Sequence, residues 1–443
     1  MMDSWRKGPL FQCFGLFLLI FLACPVSAEE EIAPTGKPLT LDQCTAIALK
    51  YHPSLQASQA TVEASKARVE QALAAYYPQV NLNTSYSSST SNLNATGAQV
   101  RGGTYNWTFY DFFATGPTLA VNLYDFGRTP NTVKINRENA KASEEDLITT
   151  KQAVVLNVKQ AYFGVLQTLR LIKVAEETVN QMKQHLEQAR GFYQAGTRPK
   201  IDVTKAEVDL ANAELGLIRT KNNYQVARVT LNNALGLRED LTFVIEDILD
   251  FKPMEINLEE ILKSSYAQRP ELLQLKARQR SQEANIKLAQ SSYYPILSGN
   301  ASYLNRGDHV DNLYWDLSVG ATLSIPLFSG FSSPNQVAEA KANLRNLQAQ
   351  EENLKLNIRL EAEQAFLGLK EADERIRVAE KAVAQAKENF DLATGRYQVG
   401  VGQPLEVTDA EVLLANARAN HIQALYDYKV AEARIEKAMG KVR

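Results

Sequence analysis

The chain is poor in the groups that enzymatic chemistry and nucleic-acid binding require. Its 443 residues carry a formal net charge of −2, so no basic excess indicates a nucleic-acid partner. The four histidines are scattered, and no phosphate-binding loop, nucleophile elbow, zinc-protease motif or paired-cysteine motif occurs. Carboxylates fall on predicted helix faces mixed with Lys and Arg, as on solvated surfaces. We therefore predict no enzyme, no cofactor and no metal site.

Cysteine is scarce, with three residues in all, and two of them lie in an N-terminal targeting segment. Arg6 and Lys7 precede an apolar run over 10–23, and Val26-Ser27-Ala28 is typical of a cleavage site. This pattern predicts a signal peptide over 1–28 and an exported mature chain.

Cleavage after residue 28 would leave Cys44 alone, so no intrachain disulfide could form. The alternative is lipidation at Cys24. Residues 21–23, which precede it, depart from the usual recognition sequence for lipidation.

Long apolar runs are missing after the signal segment, and the mean hydropathy is −0.27. No stretch of about 18 apolar residues remains, which excludes a helical transmembrane protein. The lack of apolar runs does not exclude a membrane β-barrel, because its strands leave a much weaker signal in a sequence.

The chain does contain an internal duplication. The stretch over 193–213 recurs at 397–417, and Tyr76-Tyr77-Pro78 recurs as Tyr293-Tyr294-Pro295. Each copy is predicted to run helix, strand, strand, long helix, tip turn, helix. We expect a first structural repeat over 29–255 and a second over 256–443.

One strand-like run has an unusually long period of two. Its apolar positions alternate with polar ones and are Trp315, Leu317, Val319, Ala321, Leu323, Ile325 and Leu327. Such alternation is expected where one face of a sheet meets lipid and the other meets water. The alternative, a half-buried strand of a soluble sandwich, lacks a second sheet to pack against.

The helices follow the 3.5-residue period of a coiled coil, with many alanines in the apolar seam. The helix predicted from Pro130 to Gly196 would be about 100 Å long at 1.5 Å per residue. Gly196 and Gly400 are placed where a helix ends with positive φ, and Pro199 and Pro404 suit the first turn of the next helix. We therefore predict two long αα-hairpins, each with a tip turn.

Four strands per chain cannot close a barrel. An open sheet edge in hydrocarbon leaves backbone groups unpaired at several kcal/mol each. Two chains would supply about eight strands and three would supply about twelve, which leaves a lumen. The strand count alone favours an oligomer without choosing between these.

Several motifs together resemble the outer-membrane efflux protein family, the TolC-like channels. They are LTLDQCTAIALKYHPSL, the twin YYP motifs, VNLYDFGR, SIPLFSGF and the twin YQxG…VTxAEVxLANA hairpins. The resemblance implies a mainly α homotrimer: a twelve-stranded barrel in the outer membrane of a Gram-negative bacterium, continuous with a periplasmic α-barrel of long coiled-coil hairpins. Residues 237–257 would then be an equatorial segment that joins the two copies. The resemblance also implies a periplasmic adaptor and an inner-membrane transporter of the RND, ABC or MFS type as partners.

The resemblance also implies a gate at the hairpin tips. The family's constricting carboxylates fall on Glu406 and Asp409, and the corresponding first-copy positions are Asp202 and Lys205. The family's tip hydrogen bond falls on Tyr397 and Asp202. Its companion arginine falls on Gly402, which has no side chain to donate, so that bond does not carry over. The alternative for the two carboxylates is that they complement the helix dipole.

The resulting hypothesis is a passive exit duct, used in tripartite efflux or type I secretion and gated at its periplasmic tip. The alternative is a periplasmic coiled-coil scaffold or adaptor without a pore. A hydrolase ranks third, because no nucleophile and base are grouped in the sequence.

Overall fold

The computed structural model of the protein describes residues 38–90, 109–237 and 244–441. The predicted signal peptide 1–28 and the alternative lipidation site Cys24 lie outside these ranges. Part of the predicted equatorial segment, 238–243, lies outside them as well.

The same order of elements occurs twice along the described chain. The first copy comprises α1 (Leu41–Tyr51), α2 (Pro53–Leu73), β1 (Gln79–Thr90), β2 (Phe109–Tyr124), α3 (Arg128–Gln194) and α4 (Lys200–Leu235). The second comprises α5 (Leu258–Gln268), α6 (Pro270–Gln290), β3 (Ile296–His309), β4 (Asn312–Ser324), α7 (Ser332–Gln398) and α8 (Pro404–Ala438). Helices α3 and α7 both have 67 residues, which makes each about 100 Å long.

The long helices agree with the sequence pattern. Helix α3 begins and ends two residues before the predicted limits of Pro130 and Gly196. In the part of the chain that the structure describes, no helix is both long and apolar enough to cross a membrane.

Each long helix follows its strand through two consecutive residues in the left-handed region. Phe126 and Gly127 have φ values of 49° and 93°, and Gly330 and Phe331 have values of 60° and 64°. The Asp125 carboxylate accepts hydrogen bonds from the backbone N–H groups of Gly127 at 3.2 Å and Thr129 at 2.7 Å. Left-handed backbone turns the chain sharply, and the carboxylate satisfies donors at the start of α3.

The strands form one antiparallel sheet in the order β1-β2-β3-β4. Within the described residues β1 and β4 each have one neighbour, so both edges of the sheet are unpaired in the single chain. Strand β2 of the first copy pairs with β3 of the second copy, and this pairing joins the two repeats.

The register places apolar and polar rows on opposite faces of the sheet. One row across all four strands consists of Val80, Leu119, Ala301 and Val319. The adjacent row consists of Asn81, Thr118, Ser302 and Ser318. Because neighbouring rows point to opposite faces, one face is apolar across its whole width and the other is polar. Val80 and Val319 on the apolar face are 66% and 76% exposed.

Strand β4 is shorter than the alternation in the sequence. It ends at Ser324, so Ile325 and Leu327, which were expected to continue it, lie beyond the strand. Pro326, two residues after the end of β4, has no backbone N–H to donate to a ladder, so the strand does not continue through it. Trp315, Leu317, Val319 and Leu323 lie within β4 and are exposed.

The helices pair as two long hairpins, α3 with α4 and α7 with α8, and α3 also packs along α8. We call the contacts between the two hairpins, which are centred on α3 and α8, the inter-hairpin seam. The predicted apolar positions of α7 are buried or half-buried, from Ile358 to Tyr397. Tyr193 departs from the predicted seam of α3, since it is 46% exposed whereas the equivalent Tyr397 of α7 is fully buried.

The main hydrophobic core lies where both hairpins meet α1, α5 and the segment 244–257. Two buried tyrosines hold that segment. The Tyr162 hydroxyl donates to the carbonyls of Leu39 at 3.1 Å and Glu246 at 2.8 Å. The Tyr428 hydroxyl donates to the Lys252 carbonyl at 2.8 Å and accepts from the Met254 N–H at 2.9 Å. The described part of the equatorial segment is therefore bound to both long hairpins.

Candidate functional site: the hairpin tips

Both hairpins end in the same turn. Gly196 and Gly400 have φ values of 76° and 80°. The next residue in each tip donates back across the helix end, from Thr197 to the Phe192 carbonyl at 3.0 Å and from Val401 to the Arg396 carbonyl at 3.1 Å. This is the hydrogen-bond pattern of a Schellman cap, which satisfies carbonyls that the ending helix would leave free. Both turns therefore hold residues 197–199 and 401–403 in defined positions.

The predicted gate carboxylates lie on the first two turns of α8. Glu406 and Asp409 are both exposed. A Glu406 carboxylate oxygen lies 3.5 Å from the Arg396 Nε, at the end of the preceding helix. The sequence reasoning did not identify Arg396, whose positive charge partly offsets that of Glu406. Asp409 is thus the more available of the two negative charges.

Tyr397 lies at the end of α7 and is fully buried, with 0% of its surface exposed. Its ring packs against Phe192 and His185 of α3, at centroid distances of 5.4 and 5.0 Å. In the described chain its hydroxyl has no hydrogen-bond partner. Burial raises the pKa of this hydroxyl, and the nearby negative charge of Asp202 raises it further. Asp202 is therefore close to Tyr397 without bonding to it in the single chain, and the predicted link stays a prediction.

Arg198, on the tip of the first hairpin, braces the tip of the second. Its guanidinium donates to the Gly402 carbonyl at 2.8 Å and, with longer geometry, to the Gly400 carbonyl at 3.4 Å. The same guanidinium lies 5.9 Å from the centre of the Tyr397 ring. The sequence reasoning missed this residue, although the unequal tips TRPK and VGQP signal it: one carries an arginine where the other has only small or uncharged residues.

The absence of a side chain at Gly402 is also required by the close packing of the turn. A Cβ added there would lie 2.8 Å from the Tyr397 backbone nitrogen and 2.9 Å from the Arg396 carbonyl carbon, closer than real Cβ atoms approach. An arginine at 402 would not fit this turn. The tip brace, which the resemblance placed on residue 402, is provided here by Arg198 from the opposite hairpin.

Further contacts continue the seam away from the tip. The Thr408 hydroxyl donates to the Asp209 carboxylate at 3.0 Å, and the Arg418 guanidinium donates to the Glu177 carboxylate at 2.6 Å. Between them Glu411 of α8 faces Gln181 of α3, whose amide nitrogen, oriented toward the carboxyl, donates to both of its oxygens. Polar contacts thus join the two hairpins from the tip toward the middle of the rods.

The described residues contain no group of three or more His, Cys, Asp or Glu side chains that could hold a metal ion. The tips place a cluster of charged and hydrogen-bonding groups between two long hairpins. That arrangement suits a contact that opens and closes.

Comparison with known proteins gives consistent matches along the chain. The model of the outer membrane efflux protein family matches residues 46–237 and 261–441. The chain is 22% identical to the outer membrane protein TolC of Escherichia coli over 407 residues, which covers 88% of this chain and 80% of TolC. It is 25% identical to the cation efflux system protein CusC of Escherichia coli over 412 residues, which covers 86% and 82%.

Solved structures with the same fold include the CmeC outer membrane channel of Campylobacter jejuni. That structure has a TM-score of 0.79 at 19% identity, with 90% of this chain and 85% of CmeC covered. The open state of the MtrE outer membrane channel of Neisseria gonorrhoeae has a TM-score of 0.73 at 17% identity, with 90% and 88% covered.

The brace leads to a prediction for Arg198→Gln. Losing the charge-assisted bonds should favour separation of the tips by roughly 1 kcal/mol, about a fivefold change. Hydrogen exchange in peptides covering 193–204 and 396–406 should rise accordingly. Arg190→Gln is the control, because Arg190 pairs with Glu187 and Glu207 inside the first hairpin. Equal effects of the two variants would contradict the brace.

Proposed function

This chain belongs to the outer membrane efflux protein family, and from that membership we propose that it is the outer-membrane exit duct of an export assembly. The family match covers both repeats. In this proposal the duct is passive, and the energy for export comes from elsewhere in the assembly. Substrates enter at the periplasmic tips and leave through the barrel.

The observation that carries the proposal is the two-faced register of the sheet. A continuous apolar row such as Val80, Leu119, Ala301 and Val319 suits acyl chains, and the adjacent polar row suits a water-filled lumen. A periplasmic scaffold without a pore would have no use for an exposed apolar face of this width. The sheet register therefore favours the duct over the scaffold.

The open edges of the sheet support an oligomer. Unpaired backbone groups at β1 and β4 would cost several kcal/mol each in hydrocarbon, unless β4 of one copy pairs with β1 of the next. Three copies give about twelve strands and a lumen, whereas two give a barrel that side chains fill. We propose the homotrimer, which agrees with the family resemblance.

The relatives name several kinds of cargo. CusC is a cation efflux system protein, and a further relative, 25% identical over 308 residues, is toxin and drug export protein A of Aggregatibacter actinomycetemcomitans. We propose that this chain works with a periplasmic adaptor and an inner-membrane transporter of the RND, ABC or MFS type, in efflux or type I secretion. In this scheme the transporter selects the cargo and supplies the energy.

Two adjacent substitutions test the duct. Val319→Lys puts a charge on the apolar face and should impair membrane assembly, because a lysine at the bilayer midplane costs about 2–4 kcal/mol. Ser318→Lys puts the same charge on the polar face and should be tolerated. The readouts are outer-membrane fractionation, a heat-modifiable oligomer on gels and channel formation in planar bilayers. Equal tolerance of both variants, or wild-type protein that washes off membranes, would refute the duct.

The tips then form the gate. Three copies would bring three Glu406 and three Asp409 side chains near one axis. Two carboxylates about 6 Å apart repel by roughly 3 kcal/mol at an effective dielectric of 20. Arg396 offsets part of this repulsion, and the Arg198 brace opposes it. A closed state held by so small a difference can be opened by a bound partner.

Removing the charge without changing the shape tests the ring. Glu406→Gln with Asp409→Asn should weaken block of the channel by a trivalent cation by about tenfold, because the ring loses its negative charges. Glu187→Gln with Glu207→Gln removes the same charge from the first hairpin tip and should leave the block unchanged. If cation block is unaltered in the Glu406→Gln, Asp409→Asn variant, these two residues do not form the proposed ring of negative charge.

Tyr397→Phe tests the proposed link to Asp202 of a neighbouring copy. If the buried hydroxyl gains that partner in the trimer, its loss should raise the closed-state leak, since such a bond contributes about 1.5–3 kcal/mol. If the hydroxyl stays unpaired, its removal should be neutral or should lower the leak. Tyr193→Phe, at the equivalent but exposed position, is the control.

A further inference from the structure

Glu411 occupies an unusual position for a carboxyl group. It lies on α8 in the inter-hairpin seam, two residues beyond Asp409, and only 1% of its surface is exposed. The equivalent residue of the first hairpin, Glu207, is exposed and bonded to the Arg190 guanidinium at 3.1 Å. The duplication therefore gives one solvated, paired glutamate and one buried glutamate.

The surroundings of Glu411 provide hydrogen bonds without a matching positive charge. The Gln181 amide and the Thr178 hydroxyl of α3 bond to its carboxyl. The charged groups that act on it are Arg418 of its own helix and Glu177 of α3, and these two pair with each other at 2.6 Å. An ionised carboxylate buried in this way is disfavoured. Burial accordingly raises the pKa of Glu411 to about 7.

His185 lies one helical turn nearer the tip than Gln181 on the same face of α3. It is 5% exposed, and in the described chain its Nδ1 has no hydrogen-bond partner. Three charged side chains of α4, Asp209, Lys205 and Asp202, act on it, and Tyr397 of α7 packs against its ring. Burial lowers the pKa of His185, against the opposing effect of Asp209.

We propose that Glu411 and His185 are opposed proton switches in the seam, both neutral when the hairpins are closed together and both charged once opening exposes them to water. This inference rests on the proposed gate and adds a mechanism to it. At mildly acidic pH, between the ordinary pKa values of glutamate and histidine of about 4.3 and 6.5, opening lets Glu411 release a proton to solvent and His185 take one up, so the net proton count changes little. The exposed charges then favour the open, hydrated state.

The two switches respond to pH with opposite signs. Glu411 binds its proton more tightly in the closed state, so it favours closure at low pH, and this contribution is lost as pH rises toward about 7. His185 binds its proton less tightly in the closed state, so its contribution to closure is present above its ordinary pKa of about 6.5 and is lost as pH falls. Together they hold the closed state nearly constant across mildly acidic pH.

Separating the switches gives the test. Full-length wild type, Glu411→Gln and His185→Gln are compared in planar bilayers between pH 5 and 8 for closed-state leak. With His185→Gln, Glu411 acts alone, and the leak should rise roughly tenfold or more with pH. With Glu411→Gln, His185 acts alone, and the leak should instead fall several-fold as pH rises from 5 to 7. Wild type and the control Glu207→Gln should both vary less than either variant.

Other outcomes separate the failures. If no wild-type channel forms, the proposed function fails. If channels form and Glu411→Gln keeps the wild-type pH profile, the switch is refuted while the duct stands. Heat-modifiable oligomers on gels show that each variant assembles. Hydrogen exchange in peptides covering 178–189 and 407–418 follows the seam without requiring a channel, and it must show the same opposed pH dependences.

Discussion

Every backbone N–H and C=O group in hydrocarbon needs a hydrogen-bond partner, and this requirement organises the whole molecule. The sheet has an apolar face wide enough for lipid, yet β1 and β4 each have one neighbour within the described chain. Further copies must supply the missing edges. Once strands close around an axis, the long helices that follow them at 127–128 and 331–332 are arranged around the same axis. The tip chemistry thus depends on a closure about 100 Å away.

The duplication provides two hairpins whose long helices have equal length. Packing of one hairpin against the other gives their equivalent residues different environments. Tyr193 and Glu207 of the first hairpin are exposed, whereas the equivalent Tyr397 and Glu411 are buried. The arginine of the first tip lies against the glycine of the second. The groups that we propose to regulate opening lie where the copies differ in burial, since identical environments would give both hairpins the same response.

The seam combines contacts that are individually modest. The Arg198 brace, the Thr408–Asp209 bond and the Arg418–Glu177 pair are partly exposed, and contacts of this kind contribute about 1 kcal/mol or less each. In the proposed switch, the closed contact also requires that the buried Glu411 and His185 side chains are neutral. In the proposed gate, a contact of this strength between the hairpins would hold the pore closed and still yield to a partner that binds the tips.

Much of the fold could be predicted from the sequence alone, because periodicity is local. The 3.5-residue repeat determined α7, the period of two determined the alternation of β4, and the glycines determined the two tip turns. Closer reading of Pro326 would also have placed the end of β4. Burial at the tips could not be read in this way, since α4 and α8 carry nearly the same sequence at 204–213 and 408–417.

Only the tertiary structure decided which of the two equivalent glutamates would be buried between the hairpins, and which tip would receive an arginine from the other. Repeat and helical period specify which residues share a face. They do not specify which face meets another helix and which meets water. That choice follows from the packing of α8 along α3, which joins residues far apart in the chain, such as Glu177 and Arg418 at a separation of 241 positions.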